Sequence, residues 1–517
     1  MKKYYLLSIL TVFILMFSSC SKEDEVEEIV IINVDRPDKP PSNFDVYSEN
    51  TKYNSTTLRW TESINPDDPI DGIIKYSVFF EGQEIHTNLD VLTVDIDNLT
   101  ELTNYSGYVR AIDERGNTTD SNFQFSTTKY FFTFVNETEF DINHNPEPHE
   151  VLILDDGYIF SGTTNLTSSG YKAFFTEKID KNGNTVWYKK YDINVGHGFP
   201  EMKKTMDGGF ILMGGYILMK IDQNGNLLWH TEFACGSQNN CEINTVTETS
   251  NGDFIVGGLK SNEWSVAQLT DITTNAYLIR TNSTGQVIWE KIFGERWAQS
   301  IHDLINNQDG TYSFFGSIER GTITADNFSN ETWVDNFWYG IIDEDGDLIH
   351  EKSYPENTFD IPRKMIKSSD GNFVFVGQVL GAYNASRSKI YKIDPQGDVI
   401  WSNEFYRGSE DMIRSVTEDN QGNFYTIGQI TSGSFGEMGI YKFSSFGSEL
   451  WSVFYLQNSF DTDTHGYDLK YVEEDGGLIL ATVYTWKVLF PPRTFKRYIK
   501  TDPFGSFEGI DSLLLND

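Results

Sequence analysis

The sequence predicts an all-β chain, a small sandwich followed by a seven-bladed propeller. Three observations predict it. Residues 42–128 show short alternating strands with turn residues between them. From about 130 to 517, one unit recurs seven times, each with two glycine-ended polar turns beside aromatic-aliphatic strands. The chain has 517 residues, 39% of them hydrophobic and 15% aromatic. That composition supplies cores for about two to four domains and argues against wholesale disorder.

Charge narrows the partners. Asp and Glu number 76 against 40 Lys and Arg, a formal net charge of −36. Nucleic acid is excluded as an expected partner, because neutralising phosphates takes clustered Lys and Arg. Direct contact with an anionic bilayer surface is disfavoured on the same ground.

Met1-Lys2-Lys3 opens the chain, and Tyr4 to Phe17 follow without a charge. That run is too short to cross a bilayer as a helix, which takes about 20 residues. It fits the apolar part of a secretory signal. Ser18-Ser19-Cys20 then resembles the cleavage box of bacterial lipoproteins, with Phe17 where that family prefers Leu. The resemblance implies a signal peptide over 1–19 and lipid (palmitate) on Cys20; an ordinary signal with an incidental Cys is the alternative. Ser21-Lys22-Glu23-Asp24-Glu25 resembles the surface-export signal of Bacteroidetes lipoproteins. The implied address is the outer membrane, exposed at the cell surface, with the periplasmic side as the alternative and the lipid as the sole membrane contact. Residues 20–41 read as an acidic, Pro-containing linker.

In 42–128, Thr56-Thr-Leu-Arg-Trp60 places a Trp on an early strand, and Leu99 precedes Tyr105 by six residues. This pattern resembles a fibronectin type III domain, with Glu101 where the family usually has Pro. The resemblance implies a spacer or binding module.

In 130–517 the first turn of each unit ends at Gly157, Gly208, Gly252, Gly310, Gly371, Gly422 and Gly476. The second ends at Gly183, Gly225, Gly285, Gly346, Gly397, Gly447 and Gly505. Four residues after the second glycine stand Trp187, Trp229, Trp289, His350, Trp401 and Trp451; the last unit has Gly509 there. Asx and Gly at these turns suit tight hairpins. The recurrent Trp reads as a wedge between neighbouring blades. Asp-x-x-Gly-x-x-x-Trp resembles the tryptophan-docking repeat of quinoprotein propellers, one residue shorter. It implies fold more than cofactor: those enzymes use a vicinal disulfide, and Cys235 and Cys241 are not adjacent. No cofactor or metal is expected. In an oxidising compartment Cys235 and Cys241 read as a disulfide across a short polar loop. The segment 130–140 reads as a fourth strand for the last blade, which would close the ring.

Both hairpins of each unit are short, whereas the connections on the opposite face vary in length. Variable loops on a rigid scaffold carry recognition. Their aromatics, Trp264, Trp333, Trp338 and Trp486, are candidate ligand contacts, with Trp packing on the blades as the alternative. Counting back from the first turn glycine gives two more columns. Eleven residues before it stand Pro146, His197, Cys241, Gln299, Asp360, Asp411 and His465. Eight before it stand His149, Pro200, Asn244, His302, Arg363, Arg414 and Asp468. If these form rings, the channel mouth is polar and suits an ion, an acidic sugar or a carboxylate. From these columns, His149, His197, His302, Arg363, Arg414 and His465 join the ligand-binding candidates. Asp343-Glu-Asp345-Gly-Asp347 reads as a turn and not a calcium loop, since the closing Glu is missing. No catalytic motif is present and no catalytic residue is assigned. The expectation is a monomeric envelope protein that binds a glycan or protein partner. The alternatives are a glycan-degrading enzyme with its site at the channel mouth and a structural subunit of an outer-membrane assembly.

Overall fold

The computed structural model describes residues 38–67, 72–140, 146–165, 172–196, 200–234, 241–261, 274–293, 298–319, 335–354, 359–380, 386–407, 410–432, 435–455, 462–486 and 493–507. Cys20 and the segment 1–37 lie outside the described residues. The chain divides into two units, Met1–Tyr130 and Phe131–Asp517.

Among the described residues, the first unit has seven strands in two sheets. Val46–Glu49, Thr56–Trp60 and Thr93–Ile96 form one; Gln83–Leu89, Ile74–Phe80, Asn104–Asp113 and Thr118–Ser126 form the other. Trp60, Leu58, Tyr76, Val78, Val109 and Ala111 fill the space between them. Tyr105 ties its strand to the preceding corner, its hydroxyl accepting the Thr100 N–H at 2.8 Å.

Among the described residues, the second unit forms five four-stranded antiparallel sheets and one eight-stranded sheet, in which two four-stranded arrays are joined by a single parallel bridge from Ser386 to Glu410; this makes seven blades. Their innermost strands are Glu147–Leu154, Glu201–Lys204, Cys241–Glu248, Gln299–Asn306, Phe359–Lys367, Glu410–Glu418 and Thr462–Tyr471. Each lies against the next, and the last lies against the first. The seventh blade is completed from the other end of the unit. Phe134–Phe140 pairs with Arg493–Lys500, Phe134 opposite Lys500. This is the closure that the segment 130–140 predicts, and it removes the free edges an open ring would expose.

The repeated Trp and Gly meet at the rim. Each Trp lies on the outer strand of its blade, half-buried, over the second turn of the next blade. A Cβ on Gly225 would come within 2.7 Å of Trp187, and one on Gly285 within 2.6 Å of Trp229. Both glycines also sit at φ near +80°. Conformation and space therefore both demand Gly there. The glycine carbonyl is held from the previous blade as well. Tyr191 donates to Gly225 O (2.8 Å), Thr231 to Gly285 O (2.8 Å), Tyr354 to Gly397 O (2.8 Å) and Asn403 to Gly447 O (2.9 Å). Where His350 replaces Trp, its Nε2 meets Gln396 O at 2.8 Å. At the closing junction Phe134 covers Gly183, and Asn136 donates to its carbonyl at 2.7 Å. The Asp343 turn is an ordinary member of the series. Its carboxylate accepts the N–H groups of Asp345 and Asp347 at 3.0 and 2.8 Å.

Candidate ligand site at the channel mouth

Six of the seven inner strands carry a one-residue bulge at the same height. The extra residue is His149, Asn244, His302, Arg363, Arg414 or Tyr467. In the second blade Pro200 stands just before the strand begins. A bulge re-aims one side chain out of the pleat. The sequence carries its trace. Opposite the bulge, the second strand has Gly162, Gly258, Gly316, Gly377 or Gly428. A Cβ on these would strike inner-strand backbone, or Phe337 in the case of Gly377. The seventh blade moves the glycine to the inner strand, Gly466 opposite Thr482.

All seven of these residues line one cavity of 210 Å³ in the channel. The column counted eight residues before the turn glycine is thereby brought together in six blades. In the seventh, the turn is one residue longer: Val472 N bonds Gly477 O, five residues on, where Thr249 N bonds Asp253 O, four on. The bulge is therefore Tyr467, and Asp468 belongs to the next layer. Among the described members of the other column, Pro146, Cys241, Gln299, Asp360, Asp411 and His465 do not line this cavity.

Beneath the bulges, the following residues form a charged ring that includes Glu150, Glu201, Asp303, Lys364 and Asp468. Lys364 reaches across the channel, donating to Glu150 Oε1 (2.8 Å) and Glu201 Oε1 (3.0 Å), with Asp303 Oδ2 at 3.9 Å. Lys203 lies 3.3 Å from Glu201 and 3.4 Å from Asp303. Lys470 donates to both oxygens of Asp468, at 2.8 and 2.7 Å. The acids also stitch blade to blade by accepting the next blade's backbone N–H. Asp468 takes Val151 N (2.9 Å), Glu201 takes Val246 N (3.0 Å) and Asp303 takes Met365 N (3.0 Å).

These contacts set the protonation states. Burial opposes ionisation of Asp468, but Lys470 and Lys364 outweigh it and hold the carboxyl below its usual range. The balance for Asp303 is the same, with Lys364 and Lys203 prevailing. Glu150 goes the other way, raised to about 8 by burial and by Asp468 beside it. His302 is lowered to about 4 by burial and Arg363. Arg363 is lowered to about 10 by burial and Arg414.

His149 is buried, its ring edge-on to Tyr467 at 4.8 Å. Arg414 lies over the Tyr467 ring at 4.8 Å. His302 Nε2 is 2.9 Å from Ser300 Oγ, which pairs with Ser317 Oγ at 2.7 Å. Neither serine lines the cavity. Among the described residues, no cluster of three metal-ligating side chains occurs.

The other predicted contacts fall elsewhere. Trp338 is 2% exposed, packs edge-on to Phe314 at 4.6 Å and donates Nε1–H to Glu351 at 2.9 Å. It is core, because its strand runs through the middle of the fourth blade. His465 stacks near Tyr467 at 6.4 Å. The backbone of Trp486 ends a strand opposite Arg493. Trp264, Trp333, His197 and Cys235 lie outside the described residues. Cys241 is disulfide-bonded. Sequence counting missed Tyr467 and the charged ring. Gly466 beside Tyr467, and the glycines facing the five other bulges, are the signal that would have located both.

Comparison with known proteins gives one family. Residues 39–127 match the fibronectin type III domain. No curated protein sequence matches the chain. Among solved structures it is similar to the β-propeller domain of the trilobed protease from Pyrococcus furiosus (11% identity, TM-score 0.38, 73% of this chain and 97% of that one). It is also similar to Pseudomonas brassicacearum lignostilbene dioxygenase (10%, 0.40, 72% and 92%). A third is Drosophila semaphorin 1a, extracellular domains 1–2 (8%, 0.41, 71% and 87%).

Proposed function

We propose that this chain is a lipid-anchored envelope protein that binds a glycan or protein partner with the loop face of its propeller, without catalysis. One observation carries the reading. Residues from all seven blades gather at one cavity in the channel, lined by arginine, histidine and amide side chains. Arginine, histidine and amide groups suit recognition of hydroxyls and carboxylates. The cavity is smaller than a typical site for a drug-sized ligand, so it accommodates one ring or one chain end. The acidic surface and the signal-like start favour an address outside the cytoplasm.

The test uses the full mature chain on a glycan array and a polysaccharide panel. Saturable binding without product release is the expected result. Released oligosaccharide would replace this reading with the glycan-degrading one. Absence of any glycan binding, with co-purification in a stable outer-membrane complex, would replace it with the structural-subunit one. The anchor is tested separately: Cys20→Ala should remove lipid labelling and membrane association, and continued labelling would refute the lipoprotein assignment.

A further inference from the structure

The cavity has two storeys of charge. In the lower one, Lys203, Lys364 and Lys470 face Glu150, Glu201, Asp303 and Asp468. Glu150 keeps its proton at neutral pH, since burial and Asp468 raise it to about 8. Three cations then meet three anions. The upper storey adds the guanidiniums of Arg363 and Arg414 against one lining carboxylate, Glu242. Among the described lining residues, this upper storey holds one more cation than anion.

Arg363 is where that surplus is least compensated. Arg280, Arg387, Arg407, Arg493 and Arg497 of the same unit each meet a carboxylate. Arg363 makes no ion pair among the described residues. Its Nη2 reaches Gln378 Oε1 at 3.3 Å, and its buried Nε has no hydrogen-bond partner among the described residues. Burial beside another guanidinium disfavours its charge. A fold holds a cation this way at a cost, which a bound anion would remove.

The surroundings narrow the anion. A guanidinium fork matches a carboxylate with two parallel hydrogen bonds. One surplus charge matches a carboxylate better than a phosphate, which carries more than one at neutral pH. Asn244 and the neutral His302 line the same cavity and suit sugar hydroxyls. The volume of 210 Å³ fits a single ring.

We infer that the channel mouth binds the carboxylate of a small acidic sugar, a uronate, with Arg363 as the residue that receives it. The inference rests on the loop-face binding reading and names its ligand class.

The test is calorimetric titration of the full mature chain with D-glucuronate, D-glucose and inorganic phosphate. Glucuronate should bind, glucose at least about tenfold more weakly, and added salt should weaken glucuronate. Arg363→Gln should lose about tenfold or more in glucuronate affinity, and Arg363→Lys should keep part of it. Ligand-free Arg363→Gln should melt no lower than the parent, because it relieves repulsion from Arg414. Equal binding of glucose, tighter binding of phosphate, no glucuronate binding or parental affinity in Arg363→Gln would overturn the inference. So would a lower melting point of that ligand-free variant, which would make Arg363 a structural residue. The two readings fail differently. Array binding confined to neutral glycans and indifferent to Arg363→Gln sinks only the uronate assignment. Glucuronate binding with no glycan or protein partner in any other assay sinks only the wider one.

Discussion

The rim and the channel of this propeller both join blade to blade, and they do it with opposite chemistry. At the rim, a half-buried Trp covers the next blade's turn glycine, and a hydroxyl or amide holds that glycine's carbonyl. The same device recurs around the ring, and each copy depends on its two neighbours alone. In the channel, carboxylates reach the next blade's backbone while one lysine spans the whole opening. No two blades contribute the same pair of residues at bulge and ring. The rim is a set of local joints; the channel is one shared joint. The difference teaches that repetition in sequence marks contacts that repeat, while contacts meeting on the axis must complement one another and so cannot repeat.

Removing Lys364 tests that contrast most severely. Lys364→Met strips the partner from Glu150 and Glu201 at once, and it should cost about 3–5 kcal/mol, as losing one side of a buried ion pair does. Denaturant unfolding measures it. A loss below about 1 kcal/mol would mean that Lys203 and Lys470 suffice and that the channel, too, is built of local joints.

A rim substitution should cost less. Trp229→Ala removes a half-buried ring and uncovers Gly285, for a loss of about 2–3 kcal/mol, at or below the range for fully buried aromatics. The double variant with Trp401→Ala should be additive, because the two junctions share no residue. Strong non-additivity in unfolding free energy would show that rim joints communicate round the ring.

The smallest effect is on pH dependence. The folded-state pKa of Glu150, about 8, lies above the ordinary carboxylate value, so the folded form holds a proton that the unfolded chain releases. Its contribution is complete at low pH and is lost as pH rises towards 8. His302, depressed to about 4, contributes stability that disappears as pH falls from its ordinary value near 6.5. Between pH 6.5 and 8 the Glu150 contribution stands clear of it. Glu150→Gln should flatten the decline of melting temperature across that window. An unchanged slope would place the shared proton on another ring member.

Much of the fold was legible because its demands repeat. Gly157 through Gly476 and Gly183 through Gly505 mark the hairpins, Trp187 through Trp451 mark the junctions, and the missing last Trp pointed to closure by residues 130–140. The site was legible only in outline. Counting from the turn glycine found His149, Asn244, His302, Arg363 and Arg414, since five bulges fall eight residues before that glycine. It failed at Tyr467, where one extra turn residue shifted the count. It also passed over Lys364, because a lysine between Arg363 and Lys367 on a strand of mixed polarity gives no pattern. Trp338 shows the reverse error: an aromatic near a long loop can simply be the core of its blade.

The strand Phe134–Phe140 has a consequence for the order in which the molecule can be made. It is the first propeller strand to leave the ribosome, yet its partner, Arg493–Lys500, comes more than 350 residues later. Until then both are unsatisfied edges, and the first six blades can stack without a lock. Translation speed therefore bears on whether this protein assembles. A chain that terminates a few residues before Arg493 would lose far more than its final strand, since the arc of six blades would be left open at both ends.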